Sequence, residues 1–190
     1  MNAQAPQYRA DPLVWGRGTR TLEIFVEPTC PFSARAFGKL DDLLHRAGEE
    51  RLTLKIRLHS QPWHPFSSVV ARAILAASTT DGGKSAARTV MAAVFAHREE
   101  FDLVDHASGP NLDRSLRDML NLIERYSGIE VAERFQSLPL DREMKWHAKY
   151  ARQNGIHTTP TFMVDGLVVP DMSSGDDVET WLRKLGIPAA

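Results

Sequence analysis

The chain of 190 residues carries a single cysteine, Cys30. One thiol excludes any intramolecular disulfide framework and leans toward a reducing compartment. An excess of charge of either sign is also missing: 23 Lys and Arg oppose 24 Asp and Glu, a formal net charge of -1. Such a balance sets up no long-range field to gather nucleic acid or anionic membrane. The charges are interspersed rather than blocked, as on an ordinary solvated surface. No apolar run is long enough to span a bilayer. Residues 1–19 are polar, broken by Pro6, Pro12, Gly16 and Gly18, and show no apolar core of a signal peptide. The expectation is a soluble cytoplasmic protein with no nucleic-acid and no membrane partner. Internal repeats and low-complexity tracts are missing too. The length suits one domain, or one domain with an insertion.

What is present begins at the cysteine. Leu22 to Val26 form an apolar, β-prone run that ends at Glu27-Pro28-Thr29. From Pro31 to Ala47 the residues Phe37, Leu40, Leu44 and Ala47 recur at helical spacing, with Gly48 placed to end the helix. Cys30-Pro31-Phe32-Ser33 therefore lies where a strand hands over to a helix. A thiol there meets unsatisfied backbone N–H groups and the positive end of the helix dipole. Both favour thiolate, the reactive form of cysteine.

Leu52 to Leu58 alternate apolar and polar, a strand with one buried face. Gln61 to Pro65 contains two prolines and leaves the sheet. From about Ser67 to Asn154 the pattern reads as helical throughout. The spacing predicts a helix through Val70 and Ile74 ending at Gly82-Gly83, a second through Val90 and Val94, and a third from Leu112 to Ile123 stopped by Ser127-Gly128. A short helix over Ile129 to Phe135 and a last one from Asp141 to Asn154 follow. Thr161 to Val164, Asp165-Gly166 and Leu167 to Val169 carry the signature of a hairpin with a type I′ turn. Ser174 with Asp177 resembles a capping box for a final helix. The order is β-α-β, a block of helices, then β-β-α.

With these residues placed, the chain resembles the thioredoxin superfamily and, within it, the DsbA-like branch. Three features carry the resemblance: Cys30-Pro31-Phe32-Ser33 after the first strand, Gly155-Ile156-His157-Thr158-Thr159-Pro160-Thr161-Phe162, and the helical block between them. It covers nearly the whole chain after Leu22. It implies an α/β thioredoxin fold, a central mixed sheet flanked by helices with an inserted all-helical subdomain. The expected division is an extension over 1–19, a thioredoxin-like domain from 20–62 and 156–190, and an insertion over 63–155. Pro160 would be a cis-proline facing the sulfur, and the backbone of Thr159 would pair with an extended peptide or with glutathione.

The chain departs from the dithiol pattern at Ser33, where those relatives carry a second cysteine. A mixed disulfide at Cys30 cannot then be resolved from within the chain. Three origins stay open for Ser33: a hydrogen-bond donor to the thiolate, a neutral replacement, or a substitution introduced for trapping. Phe32 reads as part of an apolar substrate face. Many members also bury an acid beneath the active site; Glu23 and Glu27 flank its expected place, Ile24 falls on it, and neither glutamate is given a proton-transfer role. Among the seven histidines no pair has the i, i+4 spacing of a metal-binding helix with a glutamate between, so no metal is expected.

The candidate catalytic residues are Cys30 and Ser33, and the candidate substrate-binding residues are Pro31, Phe32, Thr159 and Pro160. The expected activity is thiol–disulfide exchange or isomerisation through one cysteine. Its partner is a thiol- or disulfide-containing protein or glutathione, with glutathione as co-substrate and no bound cofactor. Two other readings remain. One is a glutathione-dependent transferase or isomerase similar to the kappa-class glutathione transferases and 2-hydroxychromene-2-carboxylate isomerases, whose serine near the first helix does not align well with Ser33. The other is a redox-inactive module that binds a peptide along the cis-proline face. Nothing in the sequence specifies an oligomeric state.

Overall fold

The computed structural model describes residues 8–188; residues 1–7 and 189–190, which belong to the two terminal segments of the expected division, lie outside it. The strands are β1 (Val14–Trp15), β2 (Arg20–Val26), β3 (Leu52–Leu58), β4 (Thr161–Val164) and β5 (Leu167–Val168). They form one sheet in the order β1-β3-β2-β4-β5. β2 runs parallel to β3 and antiparallel to β4, so Ile24 faces Ile56 on one side and Phe162 on the other. The helices are α1 (Pro31–Phe37), α2 (Leu40–Ala47), α3 (Ser67–Ala77), α4 (Gly83–Ala96), α5 (Leu116–Ser127), α6 (Ala132–Phe135), α7 (Leu138–Gln153) and α8 (Val178–Lys184). This is the expected thioredoxin-type architecture, with α3 to α7 entering between β3 and β4.

β2 is the central strand, and its period-two alternation divides the core. Leu22, Ile24 and Val26 join Phe162, Leu40, Leu43 and Trp181 in the main cluster, where the Phe162 and Trp181 rings lie 5.2 Å apart. The opposite face carries Phe25 and Met163 against Ala151, Ile156 and Tyr150. One buried ion pair lies on that face: Arg57 of β3 pairs with Glu23 of β2 at 2.6 Å. Tyr150 Oη donates to the same glutamate at 3.0 Å. The hairpin is as the sequence predicts. Asp165 and Gly166 take φ of 49° and 85°, the left-handed pair that a type I′ turn requires and that glycine adopts without a Cβ clash.

Several local expectations shift. The helix expected from Pro31 to Ala47 is two helices, because Gly38 and Lys39 lie between α1 and α2. Glycine weakens a helix interior, and the break lets α2 set its own angle to the sheet. Within residues 1–19, the two residues of β1 add an antiparallel edge to β3. α3 stops at Ala77, well before Gly82, where Ser78, Thr79 and Thr80 each donate a hydroxyl back to a carbonyl three residues earlier. The helical block is interrupted over 101–114 by a loop closed by a Val104–Ser108 bridge. α5 begins at Leu116 rather than Leu112, set by a capping box of Ser115 and Asp118. The cap of α8 is Asp177, which accepts from Thr180 N–H at 2.7 Å, and not Ser174.

Candidate active site

The site is assembled at the carboxyl end of β2. Beyond Val26 the chain turns sharply, with the Cys30 N–H donating to the Glu27 carbonyl at 3.2 Å. Cys30 is the N-cap of α1 with extended backbone, φ -72° and ψ 127°, and Pro31 follows at the first helical position. Proline is tolerated there because its missing N–H has no intrahelical partner. The Cys30 carbonyl accepts the Ala34 N–H at 3.0 Å. The side chain makes no capping bond of its own, so the sulfur is free to face across the site.

It faces Thr159. The Cys30 thiol donates to the Thr159 carbonyl at 3.6 Å, and the Thr159–Pro160 peptide bond is cis. Cys30, Pro31, Thr159 and Pro160, read separately from the sequence, thus meet in space. Cys30 is 6 % exposed, while Phe32 beside it is 54 % exposed. Along the Pro160 side runs a groove of about 420 Å³, bordered by His157, Thr158, Phe162 and Val169.

Ser33 is placed differently from the sequence expectation. Its side chain is wholly buried, and its hydroxyl oxygen accepts the Glu27 backbone N–H at 3.1 Å. Among the described residues no hydrogen bond joins Ser33 to Cys30. Ser33 therefore ties the end of β2 to the first turn of α1.

Glu27, which the sequence reading set aside in favour of Ile24, is the buried acid of this region. Ile24 lies in the main core cluster. Glu27 is fully buried, accepts the Thr29 N–H at 2.9 Å, and accepts the Thr29 hydroxyl on both carboxylate oxygens at 3.0 Å. Burial pushes its carboxyl above the usual range, and hydrogen bonds from Ser67 and Thr29 and the nearby His64 pull it partly back. His64 Nε2 stands 3.7 Å from Glu27 Oε2, and His64 Nδ1 stands 2.8 Å from Asp102 Oδ2. A glutamate one residue past an apolar strand, with a hydroxyl residue two positions on, was the available signal. His64 and Asp102 come from loops that no local pattern links.

A thiol at the N-cap position of a helix, opposite the carbonyl that precedes a cis-proline, is the active-site arrangement of a thioredoxin-fold thiol protein. The chain belongs to the DsbA-like family of thiol–disulfide oxidoreductases and protein-disulfide isomerases. It is 58 % identical to a Pseudomonas syringae protein provisionally described as a protein-disulfide isomerase, with 93 % of this chain and 98 % of that chain aligned at a TM-score of 0.91. Pseudomonas aeruginosa DsbA2 shares the fold at 19 % identity, with 95 % and 94 % covered and a TM-score of 0.67. The thiol–disulfide exchange protein α-DsbA2 of Wolbachia pipientis does so at 15 %, with 94 % and 86 % covered and a TM-score of 0.65. No protein-family model matches the sequence, and no curated protein does.

Proposed function

We propose that the protein catalyses thiol–disulfide exchange through Cys30 alone, with an external thiol completing each cycle. The observation that carries this reading is the Cys30 sulfur at the start of α1, held against the Thr159 carbonyl at 3.6 Å. Cys30 as thiolate attacks one sulfur of a substrate disulfide. A Cys30–substrate disulfide forms, the substrate S–S bond breaks, and the released sulfur leaves as thiolate and takes a proton from solvent. A second thiolate then attacks the substrate sulfur of the mixed disulfide. A new substrate disulfide or a glutathione mixed disulfide forms, and Cys30 returns as thiolate. The total number of disulfides is unchanged in each half-reaction, so the chemistry suits isomerisation and deglutathionylation.

Supporting features surround the sulfur. The exposed ring of Phe32 gives an extended partner apolar contact in the first turn of α1, and the groove along Pro160 offers a further surface next to the cis-peptide bond. The Thr159 backbone offers it hydrogen bonding in the manner of an added strand. Ser33 and Glu27 act as positioning residues, holding the turn that presents Cys30. Glutathione, at the concentrations of a reducing compartment, is the external thiol.

The test is reactivation of a scrambled disulfide protein in glutathione buffer, with intact mass measured after a brief exposure to glutathione disulfide. The expected result is a gain of one glutathionyl group on the wild type, none on Cys30→Ala, and loss of catalysed reactivation in that variant. Full reactivation by Cys30→Ala would refute the reading.

A further inference from the structure

We propose that His64, Asp102 and His106 form a binding site for a divalent transition-metal ion of the zinc type. One donor atom from each residue lies within 4.8 Å of the other two. His64 and Asp102 are 6 % and 7 % exposed, whereas His106 is exposed. They border a cavity of about 370 Å³ that also touches Pro31 at the start of α1. Two fixed ligands at the floor and one movable ligand at the mouth leave a coordination position open to solvent.

The donor chemistry matches this class of ion. Two imidazoles and a carboxylate suit zinc and its first-row neighbours rather than magnesium or calcium, which prefer an all-oxygen shell. Donors on a tetrahedral zinc stand roughly 3.3–3.6 Å apart, given bonds of about 2.0–2.2 Å. His64 Nδ1 and Asp102 Oδ2, now 2.8 Å apart, need only open slightly as the ion takes the place of the proton between them. His106 must swing inward by about 1 Å from the observed spacing, which its exposure allows. Its ring already meets His64 edge-on, with centroids 4.7 Å apart.

The surroundings support the same assignment. With Nδ1 on the metal, the His64 proton resides on Nε2, which faces Glu27 Oε2 at 3.7 Å. A ligating histidine commonly gives its other N–H to a carboxylate, which fixes the ring. Asp102 is steadied by the Leu103 N–H, which donates to Oδ1 at 2.9 Å. Arg98 is the opposing charge, with Nη1 at 4.0 Å from Asp102 Oδ2. Glu99 and Asp105 on the cavity wall outnumber it.

The experiment is a calorimetric titration of the chelator-treated full-length chain with Zn²⁺, repeated with Mg²⁺, for the wild type and for His106→Ala, Asp102→Asn and Cys30→Ser. The expected result is saturable binding of one Zn²⁺ per chain and none of Mg²⁺. Cys30→Ser leaves it unchanged, and each of the other two variants weakens it by more than roughly 10-fold. His106→Ala is the decisive variant, since an exposed side chain is removed without disturbing the core. Wild-type affinity in His106→Ala, loss of binding in Cys30→Ser, or weak uptake of zinc that does not saturate would each overturn the site.

Discussion

Replacing Ser33 by alanine separates a structural hydroxyl from a chemical one. Ser33 and Glu27 are both fully buried, and the Ser33 oxygen is the acceptor for the Glu27 N–H at 3.1 Å. Alanine leaves that N–H without a partner in a site that is closed to water. Stranding a buried donor costs about 1–3 kcal/mol. For a chain of this size each kcal/mol corresponds to roughly 2–4 °C in Tm, so a drop of about 2–12 °C is expected in a thermal melt. Alkylation of Cys30, measured well below the melting transition, should proceed at close to the wild-type rate. An unchanged Tm together with a large change in alkylation rate would refute the argument, because it would mean that the hydroxyl acts on the sulfur and not on the strand end.

The remaining predictions concern the sheet and its flanks. Phe162→Ala removes a fully buried ring packed on Trp181 and should cost about 3–5 kcal/mol in urea unfolding; a loss under 1 kcal/mol would count against the core as described. Arg57→Met leaves Glu23 buried, with Tyr150 as its remaining side-chain partner, and should destabilise by about 3 kcal/mol, an effect that a second change, Glu23→Leu, relieves. Glu143 is held below the usual carboxylate range by its hydrogen bond to His147. The Leu58 N–H donates to His147 Nδ1 at 2.9 Å, so a neutral ring carries its proton on Nε2, which faces Glu143 Oε1 at 3.2 Å. A carboxyl depressed in the folded state stabilises above its ordinary value and loses that contribution as pH falls through the depressed value. Glu143→Gln should therefore cost about 0.5–1 kcal/mol at neutral pH, for a half-exposed pair, and the difference should vanish in acid; a constant difference across the pH series would contradict it.

Much of the architecture was legible because its signals are local. The alternation of Leu52 to Leu58 defines β3 to the residue, and Asp165-Gly166 defines the turn of the hairpin. Cys30 at a strand-to-helix junction, together with Thr159-Pro160, marked the sulfur and the peptide that faces it. What escaped was decided by packing between distant segments. β1 is only two residues long and has no pattern of its own; its pairing with β3 creates it. The loop over 101–114 has apolar residues at helical intervals, yet Phe101 turns into the core and Asn111 donates to the Glu99 and Asp102 carbonyls. No local pattern announces the burial of Glu27 and Ser33, and both are sealed in the turn that leads from β2 into α1. The i, i+4 rule for histidine ligands sees one helix at a time, whereas His64 and His106 are brought together by two loops.

The order of the elements also governs how the molecule comes into being. Cys30 and Thr159 meet across a sequence separation of 129 residues. At about 5–20 residues per second, synthesis delivers the second roughly 6–26 seconds after the first. Over that interval β2 can pair with β3, but its other edge, which β4 later fills, stays bare. A bare strand edge invites pairing with other chains, and here it lies beside an uncovered thiol. The nascent chain thus carries an uncovered thiol before it has the carbonyl that faces it, and until β4 docks that thiol and the bare edge of β2 are exposed together.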